Sequence, residues 1–413
     1  MSAAPIRVLC LDIEGGHGGS SRSLLYMLGH VDQAAAMPEV WCKRGGWIEA
    51  AYDGLGISCA IEPTMPARNS VPILFDNFVE YFWFFLRFYR ARYFRERLAQ
   101  IVRQQFQIVH FNHEGLWWLA HWLRPRCGAV FVMHMRTRPD PTAFARWQAA
   151  TISRDMDALV FIYDSVREHF HHLGGAADGT TIFNVPPPAL APDRHEKIPT
   201  DDRLKVAVLS HYHVSRGTDR LVEVAGELAK KGRRDILFVV AGRTNLSRNV
   251  PGRAGELGRV SGRLEDYAAE QNVSDYFLFL GSVDRPERVL NACDVLARPA
   301  RAGDTWSRDV IEALHAGLPV VAVSQDDGFV EGERNGLVQT EYDAEGFAGA
   351  LIRLADDRDL VRRLGLAGRA DIQRLCDGAS RAADLVGVWQ QALLASRERE
   401  KGPEHLATAA AIK

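Results

Sequence analysis

Cysteine is scarce in this chain and nowhere arranged to hold a metal. Cys10, Cys42, Cys59, Cys127, Cys293 and Cys376 are scattered, with no Cys-x-x-Cys pair and no histidine at ligand spacing. That excludes a structural zinc module and predicts free thiols in a reducing compartment. Net charge is nearly absent too: 50 Lys and Arg against 52 Asp and Glu leave a formal −2, so nothing favours a nucleic-acid partner. No apolar run is long enough to cross a bilayer, and no internal repeat is visible. The first residues run straight into a strand with no leader pattern, so a cytoplasmic protein is expected.

What is present is the pattern of parallel α/β sheets. Hydrophobic residues make up 47% and charged residues 25% of 413 residues, a globular composition at a length that suits two domains. Short β-branched runs alternate with segments of helical period. In the first half strands are expected at 6–13, 40–43, 57–62, 108–111, 129–135, 158–163 and 181–185. In the second half they are expected at 205–210, 236–242, 277–281, 295–299, 319–324 and 336–338.

Between the halves the chain reads Val185-Pro186-Pro187-Pro188, with a charged stretch to Asp202. Proline neither continues a helix nor donates to a central ladder, and the strand–helix rhythm restarts afterwards. Two doubly wound Rossmann-like domains are therefore expected, at 1–190 and 200–377, facing a deep cleft. The helices at 378–396 cross back to the first domain in this reading, and 397–413 form a flexible tail. Such sheets bind ligands at the carboxyl ends of their strands.

Two segments carry chemistry. After the first strand comes Glu14-Gly15-Gly16-His17-Gly18-Gly19-Ser20-Ser21, where glycine lets backbone approach a ligand and the helix start favours anions. A phosphate or acceptor loop, a nicotinamide fingerprint and a tight structural turn all fit it. Against nicotinamide, the second strand ends in the basic pair Lys43-Arg44 rather than an acid. The second segment runs from Cys293-Asp294-Val295 through Asp304, Trp306, Ser307, Arg308, Asp309 and Glu312 to Gly317-Leu318-Pro319. Ser307 is a candidate N-cap. Asp304 and Glu312, eight residues apart, can meet at the mouth of one cleft. Ionised carboxylates there suit sugar hydroxyls.

This segment resembles the signature of the retaining family 4 glycosyltransferases of the GT-B fold: an acid, seven residues, Glu-Ala on a helix, then a Gly-x-Pro-Val-Val strand. Phe279-Leu280-Gly281, Arg216-Gly217 and Asn184-Val185-Pro186 match further elements of that family. The resemblance implies a metal-independent enzyme without cofactor that moves a sugar from a nucleotide-sugar to a glycan, lipid-linked or small acceptor. Glu312 would hold the donor ribose, Asp304 the transferred sugar and Arg216 the pyrophosphate. His134 would lie near the reacting sugar and Gly19 near the donor phosphate or the acceptor. Trp306, Ser307 and Arg308 would add donor contacts through the helix start. His110 and His113 are candidates for the acceptor side.

The sequence departs from that pattern at several positions. Asp304 stands for the usual Glu, Ser307 for Gly, Arg216 for Lys, and His211 for an Arg beside the pyrophosphate. These departures keep a second reading open, a catalytically weak nucleotide-sugar-binding protein on the same fold. Simpler readings also stand: His134 as a core histidine, Glu312 as a solvated helix residue, and Asp155-Met156-Asp157 as a solvated turn. Residues 76–106 read as a helix rich in aromatics and arginine, which suits either packing on the sheet or a peripheral seat on an anionic membrane.

Overall fold

The computed structural model describes residues 4–16, 18–67, 78–188, 193–301, 306–325 and 328–410, with backbone only at 78–81 and 400–410. The chain divides into two units, one of Met1–Val185 with Cys376–Lys413 and the other of Pro186–Leu375. Each is built on one parallel sheet.

In the first unit the strands are β1 (Ile6–Asp12), β2 (Ala36–Cys42), β3 (Cys59–Ile61), β4 (Ile108–Phe111), β5 (Val130–Met135), β6 (Ala158–Phe161) and β7 (Gly179–Thr181). They lie in the order β3-β2-β1-β4-β5-β6-β7. The helices are α1 (Gly19–Leu28), α2 (Trp47–Asp53), α3 (Phe78–Arg90), α4 (Arg92–Gln105), α5 (Trp117–Leu123), α6 (Ala143–Asp155) and α7 (Asp164–His172). In the second unit β8 (Leu204–Leu209), β9 (Ile236–Ala241), β10 (Phe277–Gly281), β11 (Val295–Arg298), β12 (Val320–Val323) and β13 (Gly336–Gln339) pair as β10-β9-β8-β11-β12-β13. Around them run α8 (Arg220–Lys230), α9 (Gly252–Arg259), α10 (Leu264–Glu270), α11 (Pro286–Leu290), α12 (Arg308–Ala316), α13 (Ala344–Asp356) and α14 (Arg358–Leu375). The last helix, α15 (Gly378–Ala410), belongs to the first unit.

The central strands are buried on both faces, so they read as continuous apolar runs such as Val206-Ala207-Val208 and Phe238-Val239-Val240. Both sheets reverse direction once, between β1 and β4 and between β8 and β11. Such switch points leave a crevice at the carboxyl ends of the strands.

Two expectations about helices change. Residues 76–106 do not form one helix: α3 and α4 are separate, broken at Ala91 (ψ 29°). Asp76 lies outside the described residues. The terminal helix also continues past Arg397, where a flexible tail was expected, and Arg399 Nη2 lies 2.6 Å from Asp157 Oδ1.

The first unit is closed by α15, which packs on α1 and β5. Trp389 is fully buried in the core formed with Val8, Ile108, Val130 and Val132. Its indole Nε1 donates to His110 Nδ1 at 3.2 Å. Burial, reinforced by the Arg136 cation, pushes the His110 pKa down to about 3.

Two outcomes are expected. Trp389→Ala should cost about 3–5 kcal/mol in denaturant unfolding of the first unit, and a loss below about 1 kcal/mol would show that α15 does not anchor that core. The second concerns acid. His110 is neutral when folded, but its unfolded form gains a proton below about pH 6.5. Its contribution to stability is therefore complete above that pH and falls as the pH drops towards 3, by about 1.4 kcal/mol per unit. His110→Gln keeps an acceptor for Trp389 and should lose about 2 kcal/mol less than wild type between pH 6.5 and 5.

Candidate active site

In the second unit, the carboxyl ends of β8 and β11 bring three charged side chains together. Arg298, the last residue of β11, is buried, and its Nη1 lies 3.0 Å from Asp309 Oδ2. Arg216, in a short turn after β8, places Nη1 3.3 Å from the same oxygen. Asp309 is in the first turn of α12, where the helix dipole also favours an anion. Burial alone would raise the Asp309 carboxyl, but Arg298 and Arg216 outweigh it and hold the pKa below the usual carboxylate range.

The turn carrying Arg216 is fixed by its surroundings. Gly217 has φ +68° and lies so close to β11 that an added Cβ would stand 2.0 Å from Pro299 O. Gly242, at the end of β9 with φ +148°, meets Ser210 O in the same way. Arg301 donates to Val214 O at 3.1 Å and to Asp219 Oδ1 at 2.8 Å, and Arg220 reaches Pro299 O and Ala300 O. The turn after β8 and residues 299–301 after β11 are therefore tied together by hydrogen bonds.

Ser307 takes the N-cap position of α12 in extended backbone. One turn on, Glu312 is buried with Oε1 2.8 Å from Arg308 Nε, so the simple reading of a solvated Glu312 does not hold. The Trp306 ring packs edge-on against Phe329 at 4.7 Å. Asp304 lies outside the described residues. His211 follows β8, and its Nδ1 accepts from Arg243 N at 3.0 Å. Burial, followed by the Arg243 charge, lowers its pKa, so the ring is neutral at pH 7.

In the first unit, the strand ends hold a buried polar network that motif reasoning did not find. Asp12 closes β1, accepts from Ser21 at the start of α1, and accepts from Asn112 Nδ2 at 3.0 Å. Arg136, just past β5, donates from Nε to Asn112 O at 2.6 Å and from Nη1 to Asn184 Oδ1 at 3.1 Å. Its backbone N–H donates to Glu114 Oε2 at 3.0 Å, and Thr137 Oγ1 donates to the other Glu114 oxygen. Only the end-of-strand positions of these polar residues could have flagged the network.

His134, in β5, belongs to this network. Its Nδ1 lies 3.3 Å from Arg136 Nη2, while Nε2 has no hydrogen-bond partner among the described residues. Burial first, then the Arg136 cation, lowers its pKa well below the usual value. Gly19 opens α1 beside Ser20, whose carbonyl accepts from Asn112 Nδ2 at 3.2 Å.

The acceptor-side histidines fare differently. His110 is fully enclosed with Trp389 and has no surface to offer a substrate, because it shares the sheet face that α15 covers. His113 is largely buried, and its Nδ1 caps the turn at Gly115 N, 2.9 Å away. Asp155 and Asp157 do not form a solvated turn either. Asp155 pairs with Arg154 and His121, and Asp157 takes both terminal nitrogens of Arg124 at 2.6 and 2.9 Å.

Comparison with known proteins agrees with this geometry. Residues 18–185 match the family model described as Glycosyltransferase Family 4, and residues 203–357 match Glycosyl transferases group 1. The MMP alpha-(1->4)-mannosyltransferase of Mycolicibacterium hassiacum is 26% identical over 319 residues, 73% of this chain and 75% of that protein. A phosphatidyl-myo-inositol mannosyltransferase of Mycolicibacterium smegmatis is 34% identical over 114 residues, 26% of this chain and 28% of its own. Among solved structures, Anabaena HepE in complex with UDP and glucose superposes with a TM-score of 0.70 at 14% identity, covering 94% of this chain and all of that one. A sucrose-phosphate synthase from Thermosynechococcus elongatus gives 0.68 at 16%, again over 94% and 100%. With both units matched in this way, the chain belongs to glycosyltransferase family 4 and is a nucleotide-sugar-dependent glycosyltransferase of the GT-B fold.

Proposed function

We propose that the protein transfers a hexosyl group, with retention of configuration, from a nucleoside-diphosphate sugar to a sugar or lipid-linked acceptor. The observation that carries this is the pair Arg216 and Arg298 converging on the first turn of α12, one turn before Glu312. Two cations and a helix start at a sheet switch point form an anion seat, and a carboxylate beside it suits ribose hydroxyls. Mannosyl donors come first among the hexoses because both curated relatives are named mannosyltransferases.

In the reaction the bond from sugar C1 to the diphosphate oxygen breaks and a bond from C1 to the acceptor oxygen forms. The acceptor proton passes to the departing diphosphate on the same face. The protein positions the reactants and stabilises the charge that builds on the leaving group. Arg216 turns from Asp309 to the diphosphate, while Arg298 keeps Asp309 neutralised. His211, neutral in the empty site, gains basicity next to the phosphates and donates a hydrogen bond to them. Glu312 holds the ribose, and Arg308 fixes its carboxylate. Asp304 and the backbone amides of Trp306 and Ser307 bind the transferred sugar. Gly19 leaves room for the donor phosphate or the acceptor. No metal ion or cofactor is required in this scheme.

A thermal-shift screen of nucleoside diphosphates and their hexoses tests the reading, because a ligand of the native state raises its melting temperature. At least one diphosphate should do so, and silence across the panel would remove the donor assignment. Arg216→Ala should then lower donor kcat/KM about 100- to 1,000-fold. Glu312→Ala should weaken nucleotide binding about 10- to 100-fold through the lost charge-assisted bonds.

A further inference from the structure

Away from the strand ends, the first unit carries a second built feature. A cavity of about 410 Å³ opens between the end of α3 and the segment from α5 to Arg126, walled by Phe88, Tyr89, Trp118, Trp122 and Arg126. Its rings form one continuous array. Phe88 meets Tyr89 at 5.7 Å and Trp118 at 6.3 Å, and Trp118 meets Trp147 at 5.4 Å. This array is not sealed by the fold. Of its rings Tyr89 is 62% exposed and Trp147 44%, and elsewhere on α3 and α4 Trp83 is 47% and Tyr93 82% exposed. Soluble surfaces seldom expose several large aromatics together without a partner.

Two guanidinium groups lie over Trp122, Arg126 at 4.2 Å and Arg95 at 4.7 Å. Arg95 is also 4.4 Å from the Phe88 ring. It is only 5% exposed, its Nε lacks a hydrogen-bond partner, and its one recorded hydrogen bond goes to Tyr89 O at 3.5 Å. Neither arginine has a carboxylate partner among the described residues. Of the nearby acids, Asp155, which also lines the cavity, is paired with Arg154 and His121, and Asp157 with Arg124, while the exposed Glu96 acts on Arg95 without forming an ion pair. Arg87, Arg90 and Arg92 add exposed positive charge beside the aromatics. Exposed rings next to unneutralised guanidinium groups, with a cavity large enough for a phosphate ester, match the boundary between acyl chains and anionic headgroups.

We infer that this face of α3, α4 and α5 seats the protein on an anionic membrane, the cavity beside Arg126 taking a phospholipid headgroup. Tyr89, Tyr93 and Trp83 enter the interface, and the arginines hold the phosphate. The inference stands apart from the donor site, since every residue it uses lies in the first unit and none belongs to the sugar-transfer machinery.

The full-length protein is mixed with phosphatidylcholine vesicles, with or without phosphatidylglycerol, at low and high salt, and followed by co-sedimentation and tryptophan emission. Binding with a blue shift is expected only with phosphatidylglycerol, and high salt should weaken it because exposed charges are screened. Arg126→Ala should bind about fivefold more weakly, and Arg90→Ala with Arg126→Ala about 25-fold. Tyr93→Ala, at a site too exposed to disturb folding, should lose part of the binding, while nucleotide thermal shifts stay at wild-type values in all variants. Equal binding to both vesicle types, no binding to either, or variants that bind like wild type would each overturn the inference. So would soluble glycerol phosphate raising the melting temperature as effectively as vesicles do, which would make the cavity a site for free phosphate esters. Loss of the nucleotide shift with vesicle binding intact would instead count against the donor reading alone.

Discussion

The second unit depends on one buried carboxylate shared by two arginines. Without Asp309, Arg298 would be a buried cation at the end of a central strand deprived of its carboxylate, a loss that costs several kcal/mol. With Asp309 in place, the same arginine becomes a fixed support, and Arg216 can leave the carboxylate for a ligand without stranding it. The difference lies in burial. Arg298 is 7% exposed at its side chain and Arg216 is 37% exposed, so one cation is structural and the other remains available. The anion seat is thus folded, with a single net positive charge, before any anion arrives.

The first unit meets the same requirement with different chemistry. Its switch point between β1 and β4 is held by Asp12, Asn112 and Arg136, each satisfied by a partner from another strand end. Buried polar networks of this kind persist when every member is paired. His134, like His110, keeps a buried Nε2 without a partner among the described residues, and burial first, then Arg136 beside it, holds its ring neutral. A neutral imidazole with one open nitrogen can accept or donate a hydrogen bond without bringing a second positive charge next to a guanidinium.

How far these arrangements were legible in the sequence depends on their range. The period of the strands, the resemblance around Glu312 and the basic turn at Arg216 are local, and the α/β class and the family followed from them. Asp309 carried no signal beyond its place in the motif segment, because its arginines come from the ends of β8 and β11, 93 and 11 residues away. His110 sat next to polar neighbours at a strand end and looked accessible. The period of two instead turns it, like Val132 and His134, onto the face that α15 covers, and its partner Trp389 lies 279 residues downstream. No local pattern encodes which helix returns to which face. Asp155 and Asp157 were misread for a related reason, since their cations come from α5, from the segment after it and from α15.

Electrostatics then links the departures from the family pattern to one another. Replacing a permanent cation by His211 removes charge from the rim, and burial beside Arg243 lowers the ring's pKa further. Two arginines sharing one aspartate carry a single net positive charge, and a third fixed cation would have raised the repulsion among them. A histidine avoids that cost while the site is empty and can take up charge when a diphosphate lowers the local potential, since a nearby anion raises an imidazole pKa. The substitution at His211 and the buried pair of Arg298 with Asp309 are therefore two parts of one solution, in which positive charge is kept low until the anion that needs it is bound.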